Sequence, residues 1–330
     1  AVEALQRYGL TTSTSRGGYG EHPVYRAVEA AAARFFGTEA ATYYVSAYLG
    51  SVALLQGLTG EYERVFVDEA AHFSVRDAVA AARVPSHLFH HLDPADLAAQ
   101  LRTHLAPHER PLVLSDGIFP ISGEIAPAAD YVRALGEYEG ALLCLDDAHA
   151  TGVVGEQGRG TIEYMQAADA AQGVRVFTAH TLSKALGGHG GLIAGDAAFI
   201  AQVGRNAAAL NASSPPPIPA AAASPWALDF IVAHPERRAA LWANVARARA
   251  GFRALGWVLE ESPSPIICLR ARPGLDLARI KRELFERDIC VAHVTRYSST
   301  PAGGALRVAL FATHTAEQID RLLAEVAALG

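Results

Sequence analysis

Short apolar runs alternate with longer segments of helical periodicity through the first two thirds of this 330-residue chain. The apolar runs predict buried strands at residues 42–45, 65–67, 87–90, 112–114, 142–145, 174–177 and 192–194. The helical periodicity predicts helices at residues 24–36, 51–58 and 128–138. This alternation is typical of an α/β protein with a mostly parallel sheet and helices on both faces. Such sheets bind ligands at the carboxyl ends of their strands.

A proline-rich break, SSPPPIP at residues 213–219, interrupts the alternation and predicts a domain boundary. We therefore expect a large domain over residues 1–220 and a small C-terminal domain over residues 221–330. The pattern beyond the break predicts one long helix from about residue 227 to 255 and then an α+β mixture. Its strands are predicted near residues 266–269, 290–294 and 306–311, and its helices near 277–287 and 316–329.

Composition and charge restrict the classes of function. With 51% hydrophobic and 19% charged residues and no apolar run of membrane-spanning length, the sequence is typical of a soluble globular protein. Its net charge of −6 offers no broad basic surface for nucleic acid. Cys144, Cys268 and Cys290 stand in apolar runs without metal-ligand spacing, so we expect reduced core thiols. No signal-peptide pattern begins the chain, and we expect a cytoplasmic location.

Lys184 is the first candidate for chemistry, because it and Lys281 are the only lysines among 28 Lys and Arg residues. A desolvated lysine can act as a free amine and form a Schiff base, which an arginine cannot do. Lys184 follows a predicted strand, and the hydroxyls of Thr181 and Ser183 with four nearby glycines suit a phosphate group. The alternative is a glycine-rich turn with an incidental lysine. Lys281 lies in a helical pattern and is predicted to be solvated.

Two aspartates and a histidine follow the predicted strand at residues 142–145. A carboxylate at the end of a buried strand is costly unless it meets a positive partner, and a protonated ring nitrogen would supply one for Asp146. His149 stands three residues further on and can reach the same ligand. In the alternative interpretation, Asp147 caps the following segment and His149 is exposed.

Three further segments carry weaker signals. His72 lies just beyond a strand and can stack on a planar ligand or act as an acid or base, although most loop histidines are solvated. Ser46, Ala47 and Tyr48 lie where a strand passes into a helix, whose free amides attract phosphate, although a capping serine has the same pattern. Arg307 is a charge within an apolar strand and needs either a structural or a substrate carboxylate.

In their order along the chain, these motifs resemble the α-oxoamine synthase family of fold type I pyridoxal-phosphate enzymes. The resemblance covers nearly the whole sequence. TLSKALGG at residues 181–188 matches the family's lysine motif, and DDAHATG at 146–152 is similar to its Asp-Asp/Glu-Ala-His-x-Thr-Gly motif. Further similar segments are SRGGYG at 15–20, SAY at 46–48, residues 68–74 with the ring-stacking histidine, DGIF at 116–119 and GEIAP at 123–127.

The resemblance implies an aspartate aminotransferase-like fold with a mostly parallel, seven-stranded sheet in the large domain, and a homodimer. It implies that Lys184 binds pyridoxal 5′-phosphate (PLP), that Asp146 pairs with its ring nitrogen, and that Ser213 or Ser214 reaches the phosphate in a neighbouring subunit. The implied catalytic and cofactor-binding residues are Lys184, His72, Asp146, His149, Ser46, Ala47, Tyr48, Thr181, Ser183, Ser213 and Ser214, and the implied substrate-binding residues are Arg307 and Arg16.

The implied reaction is acyl transfer from an acyl thioester, possible examples being acyl-CoA compounds, to a small amino acid, with no metal and no membrane partner. One alternative is another PLP-dependent reaction, namely transamination, aldol or lyase cleavage, or racemisation. A second is a catalytically silent relative that only binds. The intact Lys184, Asp146, His72 and His149 argue against the silent relative.

The sequence also departs from the family pattern. Pro120 and Ser122 replace the serine and aspartate of the family's Phe-Ser-Met-Asp-Gly, so a hydrogen bond near the cofactor's phenolic oxygen is lost. Ala47 replaces glycine, Ser51 replaces asparagine, and Ala305 replaces the first arginine of Arg-x-Arg. The family's N-terminal Asn-Tyr-Leu-Gly segment is missing. These departures leave the use of acyl-CoA open.

Overall fold

The computed structural model describes residues 1–16, 18, 21–171, 173–259, 261–297 and 300–330. Gly17, Tyr19 and Gly20 of the SRGGYG motif lie outside the described residues. The chain divides into two compact units, one of residues 1–117 with 126–233 and the other of residues 118–125 with 234–330. The predicted boundary at residue 220 falls inside a helix of the first unit.

In the described part of the chain, seven strands form the sheet of the first unit. Their order is β1-β7-β6-β5-β4-β2-β3, in which β7 runs antiparallel to both neighbours and the other pairs are parallel. Each strand overlaps a predicted one, so the predicted α/β fold is confirmed. The strands are β1 (Ala40–Tyr44), β2 (Arg64–Asp68), β3 (Ser86–Phe89), β4 (Pro111–Asp116), β5 (Leu142–Asp146), β6 (Arg175–Thr181) and β7 (Gly191–Gly195).

The strands β4 and β5 are buried along their whole length, as expected where helices cover both faces of a parallel sheet. A short 3₁₀ helix, Ala47–Leu49, follows β1. The helices are α1 (Val2–Tyr8), α2 (Pro23–Phe36), α3 (Gly50–Gly57), α4 (Phe73–Ala82), α5 (Pro94–His104), α6 (Ala128–Leu135), α7 (Thr161–Tyr164), α8 (Ala167–Ala170), α9 (Ala197–Asn206), α10 (Ala208–Asn211) and α11 (Ile218–Ala233).

Helix α2 shows how the sequence specifies these elements. His22 accepts a hydrogen bond from the Val24 amide at its N-terminus, and Pro23 occupies the first turn, where no amide donor is needed. Gly37 ends the helix with a left-handed φ of 70°, which favours glycine. Between these ends one face of α2 is buried and packs with α11 in a shared apolar cluster.

The second unit has a three-stranded antiparallel sheet of order β8-β10-β9 among the described residues, as the predicted α+β pattern indicates. Residues 118–125 belong to this unit, and their Ile121 packs with Cys268 and Ala305. The elements are α12 (Pro235–Ala254), β8 (Ile266–Arg270), α13 (Leu277–Glu286), β9 (Ala292–Val294), β10 (Ala305–Ala309) and α14 (Ala316–Leu329).

Two local predictions are wrong. The single helix expected over residues 227–255 is two helices, because Pro235 cannot donate the amide hydrogen bond that would continue α11; it begins α12 instead. Cys144 and Cys268 are buried as expected, whereas Cys290 is exposed in the segment before β9; all three are free thiols. In the described ranges, no helix has both the length and the apolar composition that a membrane span requires.

Candidate active site

A cavity of about 230 Å³ lies at the carboxyl ends of the central strands. Asp116 ends β4, Asp146 ends β5 and Thr181 ends β6, and all three line the cavity. This is the position at which open α/β sheets bind ligands. The lining residues are Ser46, Ala47, Tyr48, His72, Ser74, Asp116, Asp146, Ala148, His149, Thr181, Ser183 and Lys184.

Lys184 lies in the loop between β6 and β7, and two of the predicted hydroxyls close this loop. Thr181 Oγ1 donates to the Gly190 carbonyl at 3.2 Å, and Ser183 Oγ accepts from the Gly190 amide at 3.2 Å. Gly190 has a φ of 95°, and a Cβ there would lie 2.5 Å from the Tyr44 carbonyl oxygen, so this turn requires glycine. The loop therefore holds the lysine in a defined position at the cavity.

The amine of Lys184 lies beside His149. The distance from Lys184 Nζ to His149 Nε2 is 2.8 Å, within hydrogen-bonding range. His149 is half-buried, and Lys184 is accessible to a ligand that enters the cavity. The structure thus brings together the lysine and the histidine that the sequence analysis selected from separate motifs. An amine and an imidazole in contact can exchange a proton.

Asp146 is a buried carboxylate, only 7% exposed. The Ala148 amide donates to Oδ1 at 3.0 Å, and Ser74 Oγ donates to Oδ2 at 3.5 Å. Burial raises the pKa of Asp146, and the charge of Lys184 opposes this shift. No basic side chain within the described ranges forms an ion pair with Asp146. A cationic group of a ligand would therefore stabilise its charge.

Asp147 lies in a different environment from its neighbour. It is fully buried, and its Oδ2 accepts from the amide of Thr161, the first residue of α7, at 2.9 Å. Burial raises the pKa of Asp147 to about 7, although the hydrogen bonds from Thr161 act in the opposite direction. Asp147 therefore caps a following segment, as the alternative interpretation predicts, while His149 contacts Lys184 instead of pointing only to solvent.

His72 caps the amino end of helix α4, and its ring orientation is set by Ser74. His72 Nδ1 accepts from the Ser74 amide at 3.0 Å and lies 2.6 Å from Ser74 Oγ. Since Nδ1 is an acceptor, the ring proton of the neutral imidazole is on Nε2. Burial lowers the pKa of His72, and the charge of Asp146 opposes this shift. A neutral, fixed imidazole is suited to stacking on a planar ligand.

Ser46 caps the 3₁₀ helix after β1, as the alternative interpretation of this segment predicts. Its Oγ accepts from the Tyr48 amide at 3.3 Å. The same turn lines the cavity through Ser46, Ala47 and Tyr48, so capping and a role in ligand binding are compatible. The Tyr48 hydroxyl donates to the Asp77 carboxylate on α4, which connects this turn to the helix that His72 caps.

Three cavity residues were not identified as site residues from the sequence, namely Asp116, Ser74 and Ala148. Asp116 is 3% exposed, and its Oδ2 accepts from the His72 amide at 2.7 Å. The signal for Asp116 was the one that selected Asp146, a carboxylate at the end of a buried strand. Ser74 carries no comparable sequence signal, because its importance comes from contacts with His72 and Asp146.

Arg16 and the two serines do not line this cavity. Arg16 forms ion pairs with Glu21 (2.8 Å) and Glu29 (2.7 Å) and lines a separate cavity of about 380 Å³. Burial lowers the pKa of Arg16, but the hydrogen bonds and charges of these glutamates outweigh it and raise the pKa. Ser213 and Ser214 lie one residue beyond the end of α10, and Ser213 Oγ donates to the Leu210 carbonyl at 3.3 Å.

Arg307 lies in the middle of β10 in the second unit. Its Nε donates to the Pro120 carbonyl at 2.5 Å, a contact within the same unit. No carboxylate within the described ranges forms an ion pair with Arg307. The structural carboxylate that the sequence analysis considered is therefore not present there. Burial lowers the pKa of Arg307, because its charge is partly desolvated.

Comparisons with known proteins agree with this fold. A family model described as aminotransferase class I and II matches residues 1–326. The chain is 30% identical over 334 residues to an 8-amino-7-oxononanoate synthase from Lysinibacillus sphaericus, covering 100% of the chain and 83% of that relative. It is 35% identical over 345 residues to an 8-amino-7-oxononanoate synthase from Geobacter sulfurreducens, again covering 100% and 83%.

A solved structure is also similar over the whole chain. It is a serine palmitoyltransferase variant from S. paucimobilis with a bound PLP–myriocin adduct. The TM-score is 0.91 at 26% sequence identity, covering 100% of this chain and 82% of that structure. The likeness extends over both units of the chain.

Proposed function

We propose that this chain, which belongs to the class I and II aminotransferase family and within it to the α-oxoamine synthases, transfers an acyl group from an acyl thioester to a small amino acid. The protein is a PLP-dependent transferase. The observation that carries the proposal is the cavity in which Lys184 meets His149 beside the buried carboxylate of Asp146.

The residues around the cavity fit PLP by their chemistry. Lys184 is the one lysine among the lining residues and supplies the amine for a Schiff base. Asp146 is a buried carboxylate that forms no ion pair with an arginine or lysine among the described residues, which suits a protonated ring nitrogen. The half-buried imidazole of His72 offers a flat surface for the ring. The hydroxyls of Ser46 and Ser183, with nearby backbone amides, suit the phosphate.

When bound, PLP withdraws electrons from the α-carbon of an amino acid and makes its proton acidic. We assign Lys184 Nζ as the group that would take this proton, once the amine of the substrate has replaced the lysine amine at the cofactor. His149 Nε2, at 2.8 Å, orients the amine and exchanges a proton with it. Asp146 keeps its negative charge opposite the ring nitrogen. The α-carbon then bonds to the acyl carbon while the carbon–sulfur bond breaks and the thiol leaves.

We assign Arg307 to the α-carboxylate of the amino acid. Its guanidinium is partly desolvated and has no carboxylate partner among the described residues, so a substrate anion would compensate its charge. In the decarboxylative form of the reaction this carboxylate leaves as carbon dioxide. The hydrogen bond from Arg307 to the Pro120 carbonyl orients the guanidinium. Pro120 is the residue that replaces the serine of the family pattern.

Thiol release tests the proposal directly. Purified protein with PLP is mixed with glycine, alanine or serine and with a panel of acyl-CoA and acyl-carrier thioesters, and the free thiol is measured. We expect release that requires both substrates and that is absent from a Lys184→Ala control. If no pair releases thiol, while a keto acid is converted to an amino acid, the protein is an aminotransferase and the proposal is wrong.

We also propose a cytoplasmic homodimer with a shared active site. Ser213 and Ser214 do not line the cavity of their own chain, in agreement with an implied contact to a neighbouring subunit's phosphate. The three free thiols suit a reducing compartment. Sedimentation at low micromolar concentration should give a dimer, and a Ser213→Ala/Ser214→Ala variant should bind PLP more weakly while remaining dimeric. A fully active monomer would contradict the shared site.

A further inference from the structure

Three aspartates end three strands that neighbour one another in the sheet. Asp68 ends β2, Asp116 ends β4 and Asp146 ends β5, and these strands are adjacent in the order β5-β4-β2. The parallel register places Asp116 directly opposite Asp146. Adjacent strands lie about 4.8 Å apart. All three side chains are buried, at 0%, 3% and 7% exposure in chain order. Negative charges on the in-register pair Asp116 and Asp146 would therefore disfavour one another.

The three carboxylates differ in the groups that surround them. Asp68 accepts from the amides of Ala70 (2.8 Å) and Leu92 (3.0 Å), and His91 Nδ1 lies 2.9 Å from its Oδ1. Asp146 accepts from Ala148 and Ser74 and lies near the charge of Lys184. Each of these two carboxylates therefore has several groups that stabilise a negative charge.

Asp116 has much weaker compensation. Within the described ranges its side chain accepts one hydrogen bond, from the His72 amide at 2.7 Å. Burial raises the pKa of Asp116 well above its usual range, and the charges of Asp146 and Asp68 raise it further; the His72 amide and the charge of Lys184 oppose these effects. The titratable groups around Asp116 are therefore Asp146, Asp68, Lys184 and His72. Of the three aspartates, Asp116 accepts the fewest hydrogen bonds from the described residues, so protonation of Asp116 costs the least hydrogen bonding.

We propose that Asp116 is a neutral carboxylic acid in the folded protein and acts as a positioning residue, which anchors His72 beside Asp146 without adding a second negative charge to the cofactor cavity. The inference rests on the proposed pairing of Asp146 with the cofactor ring nitrogen. One carbonyl oxygen of the acid accepts from the His72 amide, and the proton removes the repulsion that would otherwise weaken the charge on Asp146.

An asparagine is a close mimic of a protonated aspartate, since it has nearly the same size, also has an acceptor oxygen and is also uncharged. Asp116→Asn should therefore leave the PLP dissociation constant within about threefold of the wild-type value, less than the effect of one lost hydrogen bond. Asp116→Ala removes the acceptor for the His72 amide and should weaken PLP binding about tenfold. Asp146→Asn, the matched change on the next strand, should weaken it about tenfold or more because an ion pair is lost.

Unfolding of the cofactor-free protein supplies an independent measurement. A folded state that holds a proton more tightly than the unfolded chain loses stability as pH rises above the usual aspartate pKa. The melting temperature of Asp116→Asn relative to wild type should therefore increase between pH 5 and pH 8. This result shows that the Asp116–Asp146 pair holds a proton, and the comparison of the two asparagine variants shows which residue carries it.

Two results would overturn the inference. One is a melting-temperature difference between Asp116→Asn and wild type that does not change between pH 5 and pH 8. The other is a loss of PLP affinity in Asp116→Asn as large as that in Asp146→Asn. If instead Asp146→Asn binds PLP and reacts like the wild type, the proposed role of Asp146 fails, and the unfolding measurements still report on the proton held by the pair.

Discussion

Acidic side chains at the two ends of the central strands differ in whether they form ion pairs. At the amino ends of β2 and β4, Arg64 pairs with Glu109 at 2.7 Å, and Arg110 pairs with Glu63 at 2.6 Å. At the carboxyl ends of β4 and β5, buried aspartates have no arginine or lysine within ion-pair distance among the described residues. The sheet therefore carries ion pairs at the amino ends of two strands and, among the described residues, carboxyl groups without an arginine or lysine ion pair at the carboxyl ends of β4 and β5.

The pKa values follow this difference. The hydrogen bonds from Arg64 lower the pKa of Glu109 to about 2, and those from Arg110 lower the pKa of Glu63. Burial instead raises the pKa of Asp116 and of Asp146. A carboxylate that has its own cation in the fold contributes to stability. A buried carboxylate that lacks one is available to a cationic ligand, and this distinguishes the active-site end from the structural end.

Removal of Lys184 should have the largest effect at the active-site end. Lys184→Ala lacks both the amine that binds PLP and the proton acceptor, so activity should fall by about 10³-fold or more. Borohydride reduction and peptide mapping should find a pyridoxyl label on Lys184 in the wild type only. Lys281→Ala is the control, because Lys281 is exposed on α13 and its loss should change neither label nor activity. A label on Lys281 would reject the assignment.

Asp146→Asn should have the next largest effect. The amide cannot hold a positive charge on the ring nitrogen, so the rate should fall by about 10²-fold even when PLP is added at a saturating concentration, as measured from kcat and from the cofactor's absorption. Asp130→Asn makes the same change at an exposed position on α6 and should be active. Catalysis by Asp146→Asn at the wild-type rate would exclude Asp146 from this role.

The pH dependence of stability should differ in sign between the two ends. The pKa of Asp147 is about 7 in the folded protein and about 3.9 in an unfolded chain. The folded state thus retains a proton that the unfolded state releases, and wild-type stability falls as pH rises from about 4 to 7. Asp147→Asn should remove this loss, worth on the order of 3 kcal/mol. Urea unfolding at pH 5 and pH 8 measures it; a constant difference between variant and wild type would contradict the assignment.

Glu109→Gln should have the smallest effect and the opposite pH dependence. Because the pKa of Glu109 is lowered to about 2, its contribution is present above about pH 4 and is lost as pH falls towards 2. At neutral pH the melting temperature should fall by no more than about 3 °C, and by less in high salt. Activity should not change. A large loss of activity would place this end of the sheet in the functional region.

The elements that could be predicted from the sequence are those with local signals. The strands ending at Asp116 and Asp146 were predicted because continuous apolar runs report burial on both faces, whatever the neighbouring strand is. Lys184 was selected because lysine is rare in this chain and is followed by a glycine-rich turn. The break between α11 and α12 also had a local signal, namely Pro235 itself, but the helical periodicity on both sides of it favoured a single helix.

Other features depend on contacts between distant segments. Ser74 matters because it touches both His72 and Asp146, and Asp116 matters because β4 is the neighbour of β5 and its carboxylate meets the His72 amide. Arg16 has a motif position that implied substrate binding, yet the fold pairs it with two glutamates. The order of strands in a sheet is set by packing over the whole unit, so a single segment does not report it.

The adjacent residues Asp146 and Asp147 show the division most clearly. The sequence by itself determined that a pair of carboxylates follows a buried strand and that at least one of them needs a partner. Only the tertiary structure decided which one, because the groups that contact each carboxylate come from distant segments of the chain, Ser74 for Asp146 and Thr161 for Asp147. Asp146 lines the cavity, whereas Asp147 is buried against Thr161, and the different surroundings give chemically identical side chains different roles.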